Sequence, residues 1–256
     1  MTTLKETKID DLQVSVYSTN EALGQAAAQE AVEVIQAAIA KKGEANIILA
    51  TGNSQLTFLA TLRQAKIEWA KVNVFHMDEY INLPPNHPAS FPLFLQRELL
   101  DYIKVKKFFS VQAKADEIER SCHEYSAALR AHPIDLCALG IGENGHLAFN
   151  APPFAEFNAP LWVKVIKLAE ASRQQQVGEG HFNSVEEMPT HAITLTIPCL
   201  LAAKRVLAIV PEARKAHAVK QSLTGAISES CPGSILRRAA HAHLFLDKES
   251  ASDTVK

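Results

Sequence analysis

The residues best suited to chemistry are the adjacent carboxylates Asp78 and Glu79, the histidine His146 inside a glycine-rich turn, and the loop Thr51-Gly-Asn-Ser-Gln55. A positioned carboxylate can remove a proton from carbon, and an imidazole with a pKa of about 6.5 can both accept and donate protons near neutrality. Unpaired amides at a helix start favour an anion such as phosphate, and the hydroxyls of Thr51 and Ser54 add donors to Gly52 and Asn53. That loop lacks the lysine and glycine spacing of a Walker P-loop and the GxGxxG of a dinucleotide fold.

Each of these groups follows an apolar, strand-like run: Ala45–Ala50 before Thr51, Val72–Phe75 before His76-Met-Asp-Glu-Tyr80, and Ile134–Leu139 before Gly140. Adjacent residues at an extended strand end point opposite ways. Asp78 and Glu79 are therefore expected to divide the work, one facing a substrate and the other the protein or solvent. Gly140, Gly142 and Gly145 let the backbone turn sharply, so that His146 is delivered on a constrained turn. In open α/β sheets ligands bind at the carboxyl ends of the strands, and the three loops read as one site.

The positioning elements follow a βα order: a strand near Val14–Tyr17, an Ala-rich helix from about Thr19 to Lys42, and a helix through Leu56, Leu59 and Leu62 to about Gln64. After Pro84, Pro85 and Pro88 come a helical pattern through Phe91, Phe94, Leu95 and Leu99, a helix near Asp116–Ala131, and the Ile134 strand. This repetition predicts an α/β, modified Rossmann-like three-layer fold with a mainly parallel central sheet. Further on, the pattern predicts a strand at Leu161–Leu168, a polar stretch Arg173–Phe182 that reads as a lid or binding loop, and a buried strand at Val206–Val210. Pro211 suits the first position of a helix that carries Arg214, Lys215 and Lys220 on or near its first turns. Lys215 reads either as a phosphate ligand or as a solvated helix lysine.

At 256 residues and 47% hydrophobic content the chain can bury a large core, and one domain over 1–256 is expected. A formal net charge of −2 with no long basic run disfavours nucleic acid and membrane surfaces as partners and leaves room for a small anion. No apolar run reaches the ~20 residues needed to span a bilayer and no leader pattern is present, so a cytoplasmic protein is expected. Cys122, Cys137, Cys199 and Cys231 form no CxxC pair, and the 10 histidines show no HExxH spacing, so neither a disulfide framework nor a metal site is indicated.

Together the Thr51-Gly52 loop, Phe75-His-Met-Asp-Glu-Tyr80 with Leu83-Pro84, Gly140-Ile-Gly-Glu-Asn-Gly-His-Leu-Ala-Phe-Asn150, Val206–Lys215 and Ser234-Ile-Leu236 resemble the glucosamine-6-phosphate deaminase/isomerase family, related to the 6-phosphogluconolactonases. The resemblance spans nearly the whole chain, and MDEY with GHxAFN favours the deaminase branch. It implies conversion of glucosamine 6-phosphate to fructose 6-phosphate and ammonia, with no cofactor and no required metal. It makes Asp78 the base that moves a proton between C2 and C1, and His146 the group that opens the sugar ring. The Thr51-Gly52 loop and Lys215 hold the phosphate; Glu79 and Arg173 are further candidates for substrate contact.

Two positions depart from the family pattern: Asn144 stands where aspartate is usual, and Ala151 where an acidic residue assists the histidine. Asn144 can orient an imidazole but carries no charge to raise its pKa, and Ala151 has no polar group. Glu143 or Glu156 are the nearby compensating carboxylates. The expected partner is a small hexosamine or hexose phosphate; the alternatives are a related hexose-phosphate isomerase or lactonase, and a sugar-phosphate-binding protein without turnover. The matches leave oligomeric state open, with a homo-oligomer among the options.

Overall fold

A strand that is apolar on both faces has to be buried between two layers, and β3 (Ala45–Leu49) shows both: Ile48 packs into one hydrophobic cluster, Ile47 and Leu49 into another. The same alternation runs through β7 (Leu136–Leu139) and β10 (Arg205–Val210), where Cys137, Leu139, Val206 and Ala208 face the first cluster and Leu136, Ala138, Leu207 and Ile209 the second. The computed structural model describes residues 3–111, 115–168, 173–174, 177, 180 and 182–254. Half of the Arg173–Phe182 stretch expected as a lid or binding loop lies outside the described residues.

The central sheet has eight strands in the order β1-β2-β11-β10-β7-β3-β4-β6. All neighbours are parallel except β1 (Thr3–Ile9) on β2 (Leu12–Tyr17), so the expected mainly parallel α/β architecture is present. The remaining strands are β4 (Val72–His76), β6 (Lys107–Phe109) and β11 (Ala242–Asp247). A second, antiparallel sheet joins β5 (Asp78–Tyr80), β9 (His191–Leu195) and β8 (Val163–Lys167), so the strand expected at Leu161–Leu168 belongs to this smaller sheet.

Helix α1 (Asn20–Lys42) begins where Thr19 Oγ1 accepts from the Ala22 N–H at 3.2 Å. It ends at Gly43, whose φ of 83° is the left-handed cap, its N–H bonded to Ile39 O at 2.8 Å. Its buried face of Leu23, Ala27, Ala28, Ala31, Ile35 and Ile39 covers the sheet together with α2 (Leu56–Leu62) and α3 (Phe91–Leu95). The opposite layer contains α4 (Ile118–Ala131), α5 (Ile197–Leu201) and α6 (Ala216–Thr224).

Pro211 does not open α6. Glu212 follows it at φ 84°, outside helical space, with its N–H donated to Asp247 Oδ2 at 3.1 Å. A 3-10 turn at Ala213–Lys215 then leads into the helix at Ala216. Arg214 and Lys215 are thereby carried on a turn beyond the carboxyl end of β10 instead of on a regular helix face.

Small residues decide how closely α1 and α2 approach. A Cβ on Gly24 would lie 2.4 Å from Thr57 Oγ1 and 2.8 Å from the Thr57 backbone carbon. Gly24→Ala would stabilise an open helix by about 1 kcal/mol. Here overpacking is expected to reverse the sign and cost about 1–3 kcal/mol, read as a lower urea midpoint at unchanged slope.

Candidate active site

Strands β10, β7, β3 and β4 are consecutive in the sheet, which makes the loops at their carboxyl ends neighbours. Between those loops lies a cavity of about 230 Å³. Thr51, Gly52, Asn53 and Ser54 line one side, Arg214 and Lys215 extend it, Asp78 and Tyr80 enter from β5, and Gly140, Gly142 and His146 come from β7. Ser90, Phe91 and Phe94, around and within α3, supply a largely apolar wall.

Asp78 reaches the cavity because the chain leaves the central sheet at Met77. His76 closes that bend: its Nδ1 bonds Asp78 O at 2.9 Å, and its Nε2 accepts from the Val111 N–H at 2.8 Å. An imidazole that donates from one nitrogen and accepts on the other is neutral, and burial pushes its pKa down to about 4. His76 is thus part of the scaffold.

Glu79 points off the other side of the strand, as expected from the alternation. Its Oε1 accepts from Tyr80 N and its Oε2 from Ser90 Oγ, both at 2.8 Å, which ties β5 to the start of α3. Burial pushes its carboxyl up to about 7. Burial, followed by the charge of Glu79, pushes Asp78 up to about 8. The structure does not bring Glu79 to the cavity wall, since its oxygens are held by Tyr80 N and Ser90.

The His146 ring rests on Gly142, where a Cβ would come within 2.0 Å of His146 Cε1. Any side chain at 142 must displace the imidazole, which gives this glycine a definite task. Asn144 Oδ1 accepts from the His146 backbone N–H at 3.2 Å and lies 2.7 Å from Nδ1. An amide oxygen there places the proton on Nδ1 and the ring's lone pair on Nε2.

Strand β9 holds the Asp78 and His146 segments in register. Its Leu195 N–H donates to Met77 O at 2.8 Å, and its Thr194 pairs with Asp78. From the other loop, Phe149 N–H donates to Thr194 Oγ1 at 3.1 Å, and buried Asn150 Nδ2 donates to Leu195 O at 2.8 Å.

Lys215 is 8% exposed and lines the cavity, which removes it from the solvated face that its neighbours would suggest. Arg173 is not among the lining residues: its guanidinium donates to the carbonyls of Val185 and Met188. Ala151 is buried and adds nothing to the lining, while Glu156 pairs with Lys164 at 3.3 Å and Glu143 with Arg214 at 3.3 Å. Ser90, the Phe91 and Phe94 wall, Thr194 and the cavity position of Arg214 were not expected. Only the adjacency of Arg214 to Lys215 hinted at any of them.

No group of three or more His, Cys, Asp or Glu among the described residues is placed to hold a metal ion. No helix among them is long and apolar enough to cross a membrane.

Residues 18–245 match the family model described as glucosamine-6-phosphate isomerases/6-phosphogluconolactonase. The chain belongs to this family. Within it, the glucosamine-6-phosphate deaminases of Bacillus thuringiensis (strain Al Hakam) and Bacillus cereus (strain AH820) are each 35% identical over 241 residues, spanning 94% of this chain and 88% of theirs. A solved monomeric glucosamine-6-phosphate deaminase is similar at a TM-score of 0.85 and 29% identity, over 94% of this chain and 99% of that one. The 6-phosphogluconolactonase of Trypanosoma brucei shares the fold, at a TM-score of 0.77 and 20% identity over 98% of this chain and 100% of its own.

A buried acid whose pKa is raised on folding weakens the fold as pH rises, because the unfolded chain releases that proton near the ordinary value of 3.8 and the folded chain only near 8. Asp78→Asn should therefore raise the melting temperature, by an increment that grows from pH 5 to pH 8. Thermal denaturation across that range checks it; an increment independent of pH would contradict the raised pKa.

Proposed function

We propose that the protein converts glucosamine 6-phosphate and water to fructose 6-phosphate and ammonia. The observation that carries this reading is the meeting, in one cavity, of the buried carboxyl of Asp78, the oriented imidazole of His146, and Lys215 beside the Thr51–Ser54 loop. Lys215 and the Thr51–Ser54 loop hold the phosphate, placing the sugar between the two acid–base groups. A cavity of about 230 Å³ suits one hexose phosphate.

Ring opening requires a proton to leave the anomeric hydroxyl and one to reach the ring oxygen. His146 Nε2 carries the lone pair for the first transfer, and the protonated ring supplies the second. Asp78 then takes the C2 proton and returns it to C1, turning the 2-amino aldehyde into a 2-imine. Water adds at C2, and ammonia leaves to give the ketone. A carboxylate with a raised pKa is a stronger base than a free one, so burial of Asp78 serves this step once the proton is off. Glu79 supports it from behind by anchoring β5 to Ser90.

The chain acts as a single domain, and a phosphorylated metabolite as substrate places it in the cytoplasm. With Asn144 and Ala151 at the relay positions, His146 works without the acidic residues of the family pattern at those two places, and ring opening shares control of the rate with C2 proton abstraction.

Coupled assays of ammonia and fructose 6-phosphate should find equal amounts of both from glucosamine 6-phosphate. Asp78→Asn should lower kcat by about 10²–10⁴ and abolish exchange of the C2 proton with solvent. Saturable binding without either product would return the protein to a sugar-phosphate binder. Ala151→Asp or Ala151→Glu should raise kcat; no change in both would take ring opening out of control of the rate.

Because only the ionised Asp78 is a base, kcat/KM should rise with pH through about 8 in the free protein. Glu79→Gln removes a negative neighbour and should shift that rising limb to lower pH. An unmoved limb would mean that Glu79 does not act on Asp78.

A further inference from the structure

Arg214 sits at the cavity edge between carboxylates of two different loops. Its Nε donates to Glu212 Oε2 at 2.6 Å within its own turn, and its Nη1 to Glu143 Oε1 at 3.3 Å on the histidine loop. Glu212 is fixed in turn by its N–H on Asp247 Oδ2. A line of polar contacts thus runs from the end of β11 through Glu212 and Arg214 to Glu143, the residue before Asn144, whose Oδ1 orients His146 Nδ1.

The histidine loop is held from within near its base, by Gly142 N–H on His146 O and Gly145 N–H on Gly142 O, both at 2.9 Å, and by Gly233 N–H on Gly145 O at 2.7 Å. Its outer corner is different: Asn144 is exposed, and Glu143 is joined to Arg214. A neutral amide orients an imidazole through geometry alone, with no charge to pull the ring back when the amide drifts. The direction of His146 Nε2 is therefore set in part by where the corner is pinned.

We propose that Arg214 is a positioning residue for His146, acting through Glu143, and not a second phosphate ligand. The proposal rests on the proton-transfer role assigned to His146 above. Two carboxylates already flank the guanidinium, and their charge opposes a phosphate at the same place; Lys215, buried beside it on the cavity wall, is the cation for that task. Half-exposed ion pairs contribute only about 0–1 kcal/mol to stability, so breaking this one leaves the fold intact. Misplacing a proton-transfer group by about 1 Å costs far more in rate, up to about 10²-fold.

The test uses the full chain as wild type, Arg214→Gln, Glu143→Gln, their double variant and Arg214→Lys, with three readouts. These are kcat and KM for glucosamine 6-phosphate, the dissociation constant of inorganic phosphate, and the His146 tautomer from side-chain nitrogen NMR. Arg214→Gln and Glu143→Gln should each lower kcat about 10–100-fold, leave KM and phosphate affinity within about twofold, and mix the imidazole tautomers. The double variant should be no worse than either single one, since both act through one contact, and Arg214→Lys should recover part of kcat.

A raised KM and weakened phosphate binding at unchanged kcat would make Arg214 a direct ligand and overturn the proposal, as would additive losses in the double variant. If the wild type forms no ammonia, the deaminase reading fails and the NMR arm alone decides: mixed tautomers in both glutamine variants sustain the strut, an unchanged tautomer refutes it. An active wild type with an unchanged tautomer in both variants refutes the strut alone.

Discussion

The site depends on a short antiparallel strand that carries none of its cavity-lining groups. β9 bonds Met77 and pairs with Asp78 on one side, and through Thr194 Oγ1 and Leu195 O it receives Phe149 and Asn150 from the histidine loop. Asp78 and His146 follow different strands of the central sheet, β4 and β7, and lie about seventy residues apart in the chain, and loops alone would leave their separation free. Hydrogen bonds to one rigid strand fix both ends at once, which is what proton transfer demands of its groups. The bend at Met77, closed by neutral His76, is how the chain passes from the large sheet into the small one at the residue before Asp78.

Burial of two neighbouring carboxyls is the cost of this arrangement. Asp78 and Glu79 are both raised by desolvation, and the molecule contains that strain in different ways. Glu79 is satisfied by Ser90 Oγ and Tyr80 N and joins β5 to α3, while Asp78 opens toward the cavity. One residue of the pair ties two elements together and its neighbour faces the cavity, a division that follows from the strand's two-residue period. The glycines of the histidine loop follow the same economy of space: Gly142 yields its side-chain volume to the His146 ring, and Gly145 to Cys231, whose Sγ would lie 2.7 Å from a Cβ.

Much of this was legible locally. The Thr19 cap, the Ala-rich α1, the apolar runs of β3, β4, β7 and β10, and the loops at their ends each announce themselves within a few residues, because capping, period and glycine conformation act over short distances. β1 and β6 escaped: six of the seven β1 residues are exposed and the seventh is half-buried, and β6 is three residues long. The small sheet escaped because β5 is also only three residues long and its partners lie far along the chain. Pro211 misled for a related reason, since the left-handed Glu212 that follows it is stabilised by Asp247, a residue 35 positions away.

The sequence by itself determined the residue types of the site and the strand ends that present them. Asp78, His146 and the Thr51–Ser54 loop were all visible because each is punctuated by its own apolar run or glycines. Tertiary structure alone decided which of them meet, and in what state. It buried Lys215 in the cavity wall, held Arg173 against the carbonyls of Val185 and Met188, put Arg214 between Glu143 and Glu212, and raised the pKa of Asp78. Burial, ion pairing and desolvation are sums over neighbours from every part of the fold, and no local pattern encodes them.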